Sequence, residues 1–93
     1  MEKAPETFVL DGPLTIYEVE DLKQRMLAVM EKAPCLVLDC SAATRCDTAF
    51  LQLLFSFYRT CVDKGIQLSL IPGEYLLDAA FRIGMDLSPM IRK

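Results

Sequence analysis

Two short apolar runs, Leu36-Val37-Leu38 and Leu68-Ser69-Leu70, stand on either side of one long helical pattern, and that arrangement restricts the fold more than any other feature of the chain. Cys35-Leu36-Val37-Leu38-Asp39-Cys40 reads as a strand, and its lack of polar alternation predicts burial on both faces. The helical pattern runs from Thr48 to Lys64 and stops at Gly65, a natural C-terminal cap. Ile66-Gln67-Leu68-Ser69-Leu70-Ile71 is the second strand. Strand, helix and strand joined by short connections imply a βαβ unit with a parallel pair and a right-handed crossover. Pro72-Gly73 then makes a turn, Glu74 to Ile83 a further helix closed by Gly84, and Ser88-Pro89 interrupts any regular element in the tail.

Ahead of this unit, Thr15-Ile16-Tyr17-Glu18 matches the T-x-x-E capping box. Val19, Leu22, Met26, Val29, Met30 and Ala33 follow at helical spacing, which predicts an amphipathic helix from Tyr17 to Lys32, ended by Pro34. Thr7 to Leu10, the turn signal Asp11-Gly12 and Leu14-Thr15-Ile16 read as a small β-hairpin, at a sheet edge because Pro13 suits no central strand. The 93 residues fit one domain, 1–93, of α/β class.

Composition excludes several functions. With 10 basic and 13 acidic residues, the net charge of −3 disfavours both a nucleic-acid partner and an anionic membrane surface. No apolar run reaches the roughly 18 residues of a membrane span, so direct membrane insertion is not expected. Met1 to Glu6 is polar and lacks the apolar core of a signal peptide, so a cytoplasmic location is expected. Histidine is absent, removing the commonest general base, the serine triads and most catalytic zinc sites. Cys35, Cys40, Cys46 and Cys61 form no C-x-x-C pair and read as small buried hydrophobes in a reducing compartment. Neither a metal nor a cofactor is expected. Asp39 and Asp47 could converge near a strand end, but no base, metal site or phosphate loop accompanies them, so no enzyme is expected.

The loop from Ser41 to Thr48 lies between the C-terminal end of a parallel strand and the N-terminal end of a helix, where open α/β sheets carry their working surface. Asp47 or Thr48 can cap the helix. On that helix Leu51, Leu54, Phe55, Tyr58 and Val62 share one stripe, and Phe50, Leu53, Phe57 and Cys61 a second. Together they span an arc of about 200°. Wedging between the sheet and a neighbouring helix accounts for that width. The functional alternative leaves Phe50 and Leu53 exposed beside the loop as a partner patch. A phosphate on Thr48 would bring a charge of about −1.5 to −2 into the middle of that patch.

Leu36-Val37-Leu38-Asp39-Cys40-Ser41, Cys46-Asp47-Thr48-Ala49, Leu53-Leu54, Lys64-Gly65, Leu68-Ser69-Leu70 and Arg82-Ile83-Gly84-Met85, in that order and spacing, resemble a STAS domain, the fold of bacterial anti-sigma factor antagonists. Leu14-Thr15-Ile16-Tyr17 with Leu22 is similar to the way that family begins its first helix. The resemblance implies a mixed β-sheet with helices packed mainly on one face. It implies a signalling module that docks on an anti-sigma factor or serine/threonine kinase. It also implies that Thr48, directly after the loop aspartate, is the residue the partner kinase phosphorylates. The docking face would comprise Ser41, Arg45, Asp47, Thr48, Ala49, Phe50, Gln52 and Leu53. The familiar Asp-Ser-Ser-Gly reads here Asp47-Thr48-Ala49-Phe50, so a large aromatic is expected to alter the gripped surface. The segment after Met85 is short, and the family's last helix is expected to be missing. Short STAS proteins with Asp-Thr also resemble the STAS subunit of bacterial lipid-transport ABC complexes, which implies an ABC-transporter ATPase as the alternative partner.

Overall fold

A computed structural model describes residues 6–31 and 34–91. Its elements in chain order are β1 (Glu6–Val9), β2 (Gly12–Leu14), α1 (Val19–Met30), β3 (Cys35–Asp39), β4 (Ala43–Cys46), α2 (Thr48–Lys64), β5 (Gln67–Ile71) and α3 (Glu74–Ile83). The strands form a three-stranded ladder, β1-β3-β5, and a two-stranded one, β2-β4. Each pair in them is parallel. This is the expected α/β architecture, with β3 and β5 joined through α2.

The hairpin expected at Asp11-Gly12 does not form. β1 runs beside β3 and β2 beside β4, so residues 6–14 follow residues 35–46 as a parallel companion. Leu10 donates its N–H to the Asp39 carbonyl at 2.8 Å, and Gly12 donates to the Ala42 carbonyl at 3.2 Å. Gly12 has φ +72°, which lets the chain swing from one ladder to the other without strain. The local turn signal loses because this route buries both Leu10 and Leu14 in the core. Pro13 faces solvent on the edge of the small ladder, where its missing N–H costs nothing.

Burial on β3 alternates, which corrects the expectation of a strand covered on both faces. Leu36 and Leu38 are sealed, while Cys35, Val37 and Asp39 are half-buried. In register with the two leucines, Leu68 and Leu70 of β5 complete the covered face. Leu22, Met26, Val29 and Met30 of α1 and Phe50, Leu54, Phe57 and Cys61 of α2 join the same core. The extension of α1 to Lys32 and Ala33 lies outside the described residues. Its start comes later than expected, at Val19, because Ile16 to Glu18 form a turn. The capping box is half realised. The Glu18 carboxylate accepts from the Thr15 N–H at 3.0 Å, but the Thr15 hydroxyl, which donates to that same carboxylate at 2.5 Å, accepts the Tyr17 N–H at 3.4 Å, and the Glu18 N–H goes to the Thr15 carbonyl instead.

After α3 the chain folds back. Leu87 and Met90 are buried, and the Met90 carbonyl accepts the Leu70 N–H at 2.8 Å, covering part of the outer edge of β5. Ser88 to Met90 make a turn. No helix among the described residues is long and apolar enough to cross a membrane.

Candidate functional site

The site is built around the start of α2. Asp47 has extended backbone (φ −119°, ψ 179°), the conformation an N-cap needs, and its Oδ1 accepts the Phe50 N–H at 3.1 Å. Its Oδ2 accepts the Ile16 N–H at 2.9 Å from the turn before α1. Its own N–H donates to the Leu14 carbonyl at 3.2 Å. One residue thus fixes three things: the end of β4 against β2, the first turn of α2, and the position of the Ile16-Tyr17 turn. Ile16 is 63% exposed and Tyr17 91% exposed, so Asp47 holds an apolar and an aromatic side chain out in solvent.

Because Asp47 supplies the cap, the Thr48 hydroxyl is left uncommitted. Thr48 is exposed and, among the described residues, its side chain makes no hydrogen bond. It lies on a groove of ≈ 440 Å³ between the start of α2 and the outer side of α3, together with Arg45, Tyr75, Asp78 and Arg82. Arg82 pairs with Asp78 at 2.9 Å across one helical turn, with both side chains largely in water. Such a pair is weak and easily exchanged for another partner. Arg45 is exposed and makes no ion pair among the described residues. Tyr75 is 57% exposed and gives the groove an aromatic wall.

A larger and more apolar groove, ≈ 570 Å³, lies on the other flank of α3 between Leu77, Phe81, Met85 and Ile91. The candidate site is the smaller groove, because Thr48, Asp47 and Arg45 all line it and none of them lines the larger one.

The remaining residues expected at the docking face separate. Ser41 is exposed at the β3–β4 turn and bound to Asp39: its hydroxyl donates to Asp39 Oδ1 at 2.6 Å and its N–H at 3.0 Å. Those two bonds hold the Asp39 carboxyl below its usual pKa of 3.8, the hydroxyl contributing most. Asp39 and Asp47 therefore serve separate turns. Ala49 is half-buried. Gln52 is exposed but faces a different depression on α2, shared with Phe55 and Arg59. Leu53 is half-buried against the core.

Phe50 requires a correction. It is fully buried and cannot touch a partner in this fold. The line Phe50, Leu54, Phe57, Cys61 is the inward side of α2, whereas Phe55 and Val62 point out, at 44% and 58% exposure. The aromatic that replaces the familiar glycine is thus part of the core and leaves the surface at the start of α2 unchanged by its bulk. Cys40 and Cys61 are buried, as expected, while Cys35 and Cys46 are half-buried. Burial pushes the Cys40 thiol up to about 12 and the Cys46 thiol up to about 11.

Sequence reasoning missed the contribution of α3. Tyr75, Asp78 and Arg82 recur at i, i+3, i+7, one face of a helix, and that spacing was the available signal. It missed the Ile16-Tyr17 turn as well, since both residues read as part of a strand or a helix start.

The chain is a small parallel α/β domain with an aspartate-capped helix, an adjacent exposed threonine and an open groove beside them. A family model described as "Mlab, STAS domain" matches residues 1–86, and the chain belongs to the STAS family. STAS domains generally mediate protein–protein interaction and are generally not catalytic. No curated protein matches the chain.

Proposed function

We propose that this chain is a non-catalytic docking module whose partner protein seats on the start of α2 and the groove beside it, and that phosphorylation of Thr48 releases the partner. The observation that carries the reading is the division of labour between two neighbours. Asp47 caps α2, and Thr48 is exposed on the groove with a free hydroxyl. A structural threonine in that position would be expected to cap or to pack; this one does neither. A phosphate there adds charge to a surface that a partner must dehydrate, and it does so without disturbing the core. Arg45, Asp47, Thr48 and Tyr75 are the contacts this reading assigns. The partner is an anti-sigma factor or serine/threonine kinase of the switch type.

The family model's description favours a second reading, a constitutive STAS subunit of a lipid-transport ABC complex. Thr48 would then be a permanent contact to the ATPase, without phosphate. Affinity purification of the tagged chain from its own cells, followed by mass spectrometry, tests both. A kinase or anti-sigma partner and a phosphopeptide spanning Thr48 support the first reading. An ATPase partner with Thr48 always unmodified, and a Thr48→Ala protein that still functions, supports the second. Capture of neither would count against the docking module itself.

A further inference from the structure

The Asp47 carboxylate is shared between two elements that are far apart in sequence. Oδ1 closes the first turn of α2 on the Phe50 N–H, and Oδ2 holds the Ile16 N–H, 31 residues away. We infer that this shared carboxylate is a lever: charge placed on Thr48 loosens its hold on Ile16 and moves the exposed Ile16-Tyr17 turn. The inference rests on the reading of Thr48 as a modified residue and adds the route by which modification reaches a second surface.

The modification itself forms a bond between Thr48 Oγ1 and phosphorus and breaks the bond from that phosphorus to the bridging oxygen of a nucleoside triphosphate. The diphosphate leaves, and the hydroxyl proton goes to a base of the partner kinase. The product is a near-dianion on the residue directly after Asp47. Two anions so placed repel, and both compete for the free N–H groups of the first turn of α2.

The two hydrogen bonds of Asp47 differ in what replaces them. The Phe50 N–H belongs to the α2 terminus, where the phosphate oxygens can take over as acceptors. The Ile16 N–H sits in a turn of a different element, and Asp47 is the acceptor the structure gives it. The bond to Ile16 is therefore the one that loosens. The turn is closed on itself, the Glu18 N–H donating to the Thr15 carbonyl at 2.9 Å and the Tyr17 N–H to the Thr15 hydroxyl at 3.4 Å, while the Ile16 N–H is the donor it sends to α2 and the Ile16 and Tyr17 side chains are mostly in solvent. The Thr15 and Glu18 bonds beside it stay local and leave the flanking backbone anchored. The expected motion is a loosening of the turn from the start of α2, with the turn's own bonds and the fold intact. Exposed aromatic and apolar side chains of this kind carry much of an interface's affinity when a partner seats on them.

The test needs neither kinase nor partner. Phosphothreonine is placed at position 48 during translation, and amide hydrogen exchange is followed by NMR in the full chain. Exchange at Ile16 is expected to quicken by about tenfold or more, with Phe50 changed much less. Asp47→Ser keeps a capping oxygen for α2 and gives up the reach to Ile16, so it should speed Ile16 in the unmodified protein while Phe50 stays protected. A Thr48→Val protein, similar in shape and uncharged, should leave Ile16 as it is. Ile16 exchange unchanged by the phosphate, or unchanged in Asp47→Ser, overturns the lever. Thr48 never being found modified in cells would instead remove the signalling reading and leave these exchange results standing.

Discussion

Gly73 and Cys40 meet backbone to backbone: a Cβ on Gly73 would lie 2.6 Å from the Cys40 carbonyl oxygen and 3.0 Å from the Ser41 Cα. Gly73 is the N-cap of α3 and Cys40 directly follows β3, so this contact seats α3 on the β3–β4 turn and positions Tyr75, Asp78 and Arg82 along the groove. Both neighbours are main chain and cannot rotate away. Gly73→Ala is expected to cost about 1–3 kcal/mol, as overpacking does. Urea unfolding measures it, and a loss below a few tenths would mean that α3 can shift freely.

Phe50→Ala should cost about 3–5 kcal/mol, the range for emptying a buried aromatic site. In a domain of this size that is a large share of the total stability. Thr48→Ala, at an exposed position, should stay within about 0.5 kcal/mol. The pair of melting curves separates a residue that holds the fold from a neighbour two positions away that does not.

Acid should weaken the protein in a defined window. The Asp39 carboxyl is held below its ordinary pKa of 3.8 by the Ser41 hydroxyl first and the Ser41 N–H second. Asp86 is lowered in the same direction by the Ser88 N–H and hydroxyl. A carboxylate lowered in the folded state contributes stability that is fully present above its unfolded pKa and is lost as pH falls through the folded value. Stability set by these groups should therefore be flat from pH 7 to about 5 and decline below about 3.8. Asp39→Asn should make that decline shallower in urea titrations at stepped pH.

Thiol reactivity gives an independent check on the core. Cys40 is pushed up to about 12 by burial, with Cys46 and Asp39 adding to it, and Cys46 is pushed up to about 11. At pH 8 a thiol of pKa 11 is about 0.1% thiolate, and the thiolate is the reactive form. Both should resist alkylation in the folded protein and react at ordinary rates in denaturant, read by mass spectrometry of the labelled peptides. Rapid labelling of Cys40 without denaturant would contradict its burial.

The parts of the fold that were legible in the sequence are those fixed by neighbours along the chain. α2 runs from Thr48 to Lys64 and α3 from Glu74 to Ile83, as expected, because Asp47 is an N-cap residue and Gly65 and Gly84 take the left-handed backbone of a helix C-cap. What failed depends on contacts distant in sequence. Ala43–Cys46 read as loop because its strand character comes from pairing with Gly12–Leu14. Asp11-Gly12 carried the residues of a hairpin turn, yet the parallel companion route buries two leucines that an isolated hairpin would not. The orientation of α2 was ambiguous for the same reason. A 200° apolar arc does not say which edge faces in, and only packing against α1 and β5 turned Phe50 inward and Val62 outward. Within the candidate site, Asp47 and Thr48 could be read from motif and position, but Tyr75 and Arg82 joined them only once α3 had docked.

The central claim is that the partner seats on the face around Thr48. Photo-cross-linking in living cells addresses it directly, with a photo-reactive amino acid placed at position 48, at 75 on the far wall of the groove, or at Lys23 on the exposed side of α1. The account predicts one protein adduct, the same from positions 48 and 75, and none from 23. An adduct from position 23 with positions 48 and 75 silent would contradict it.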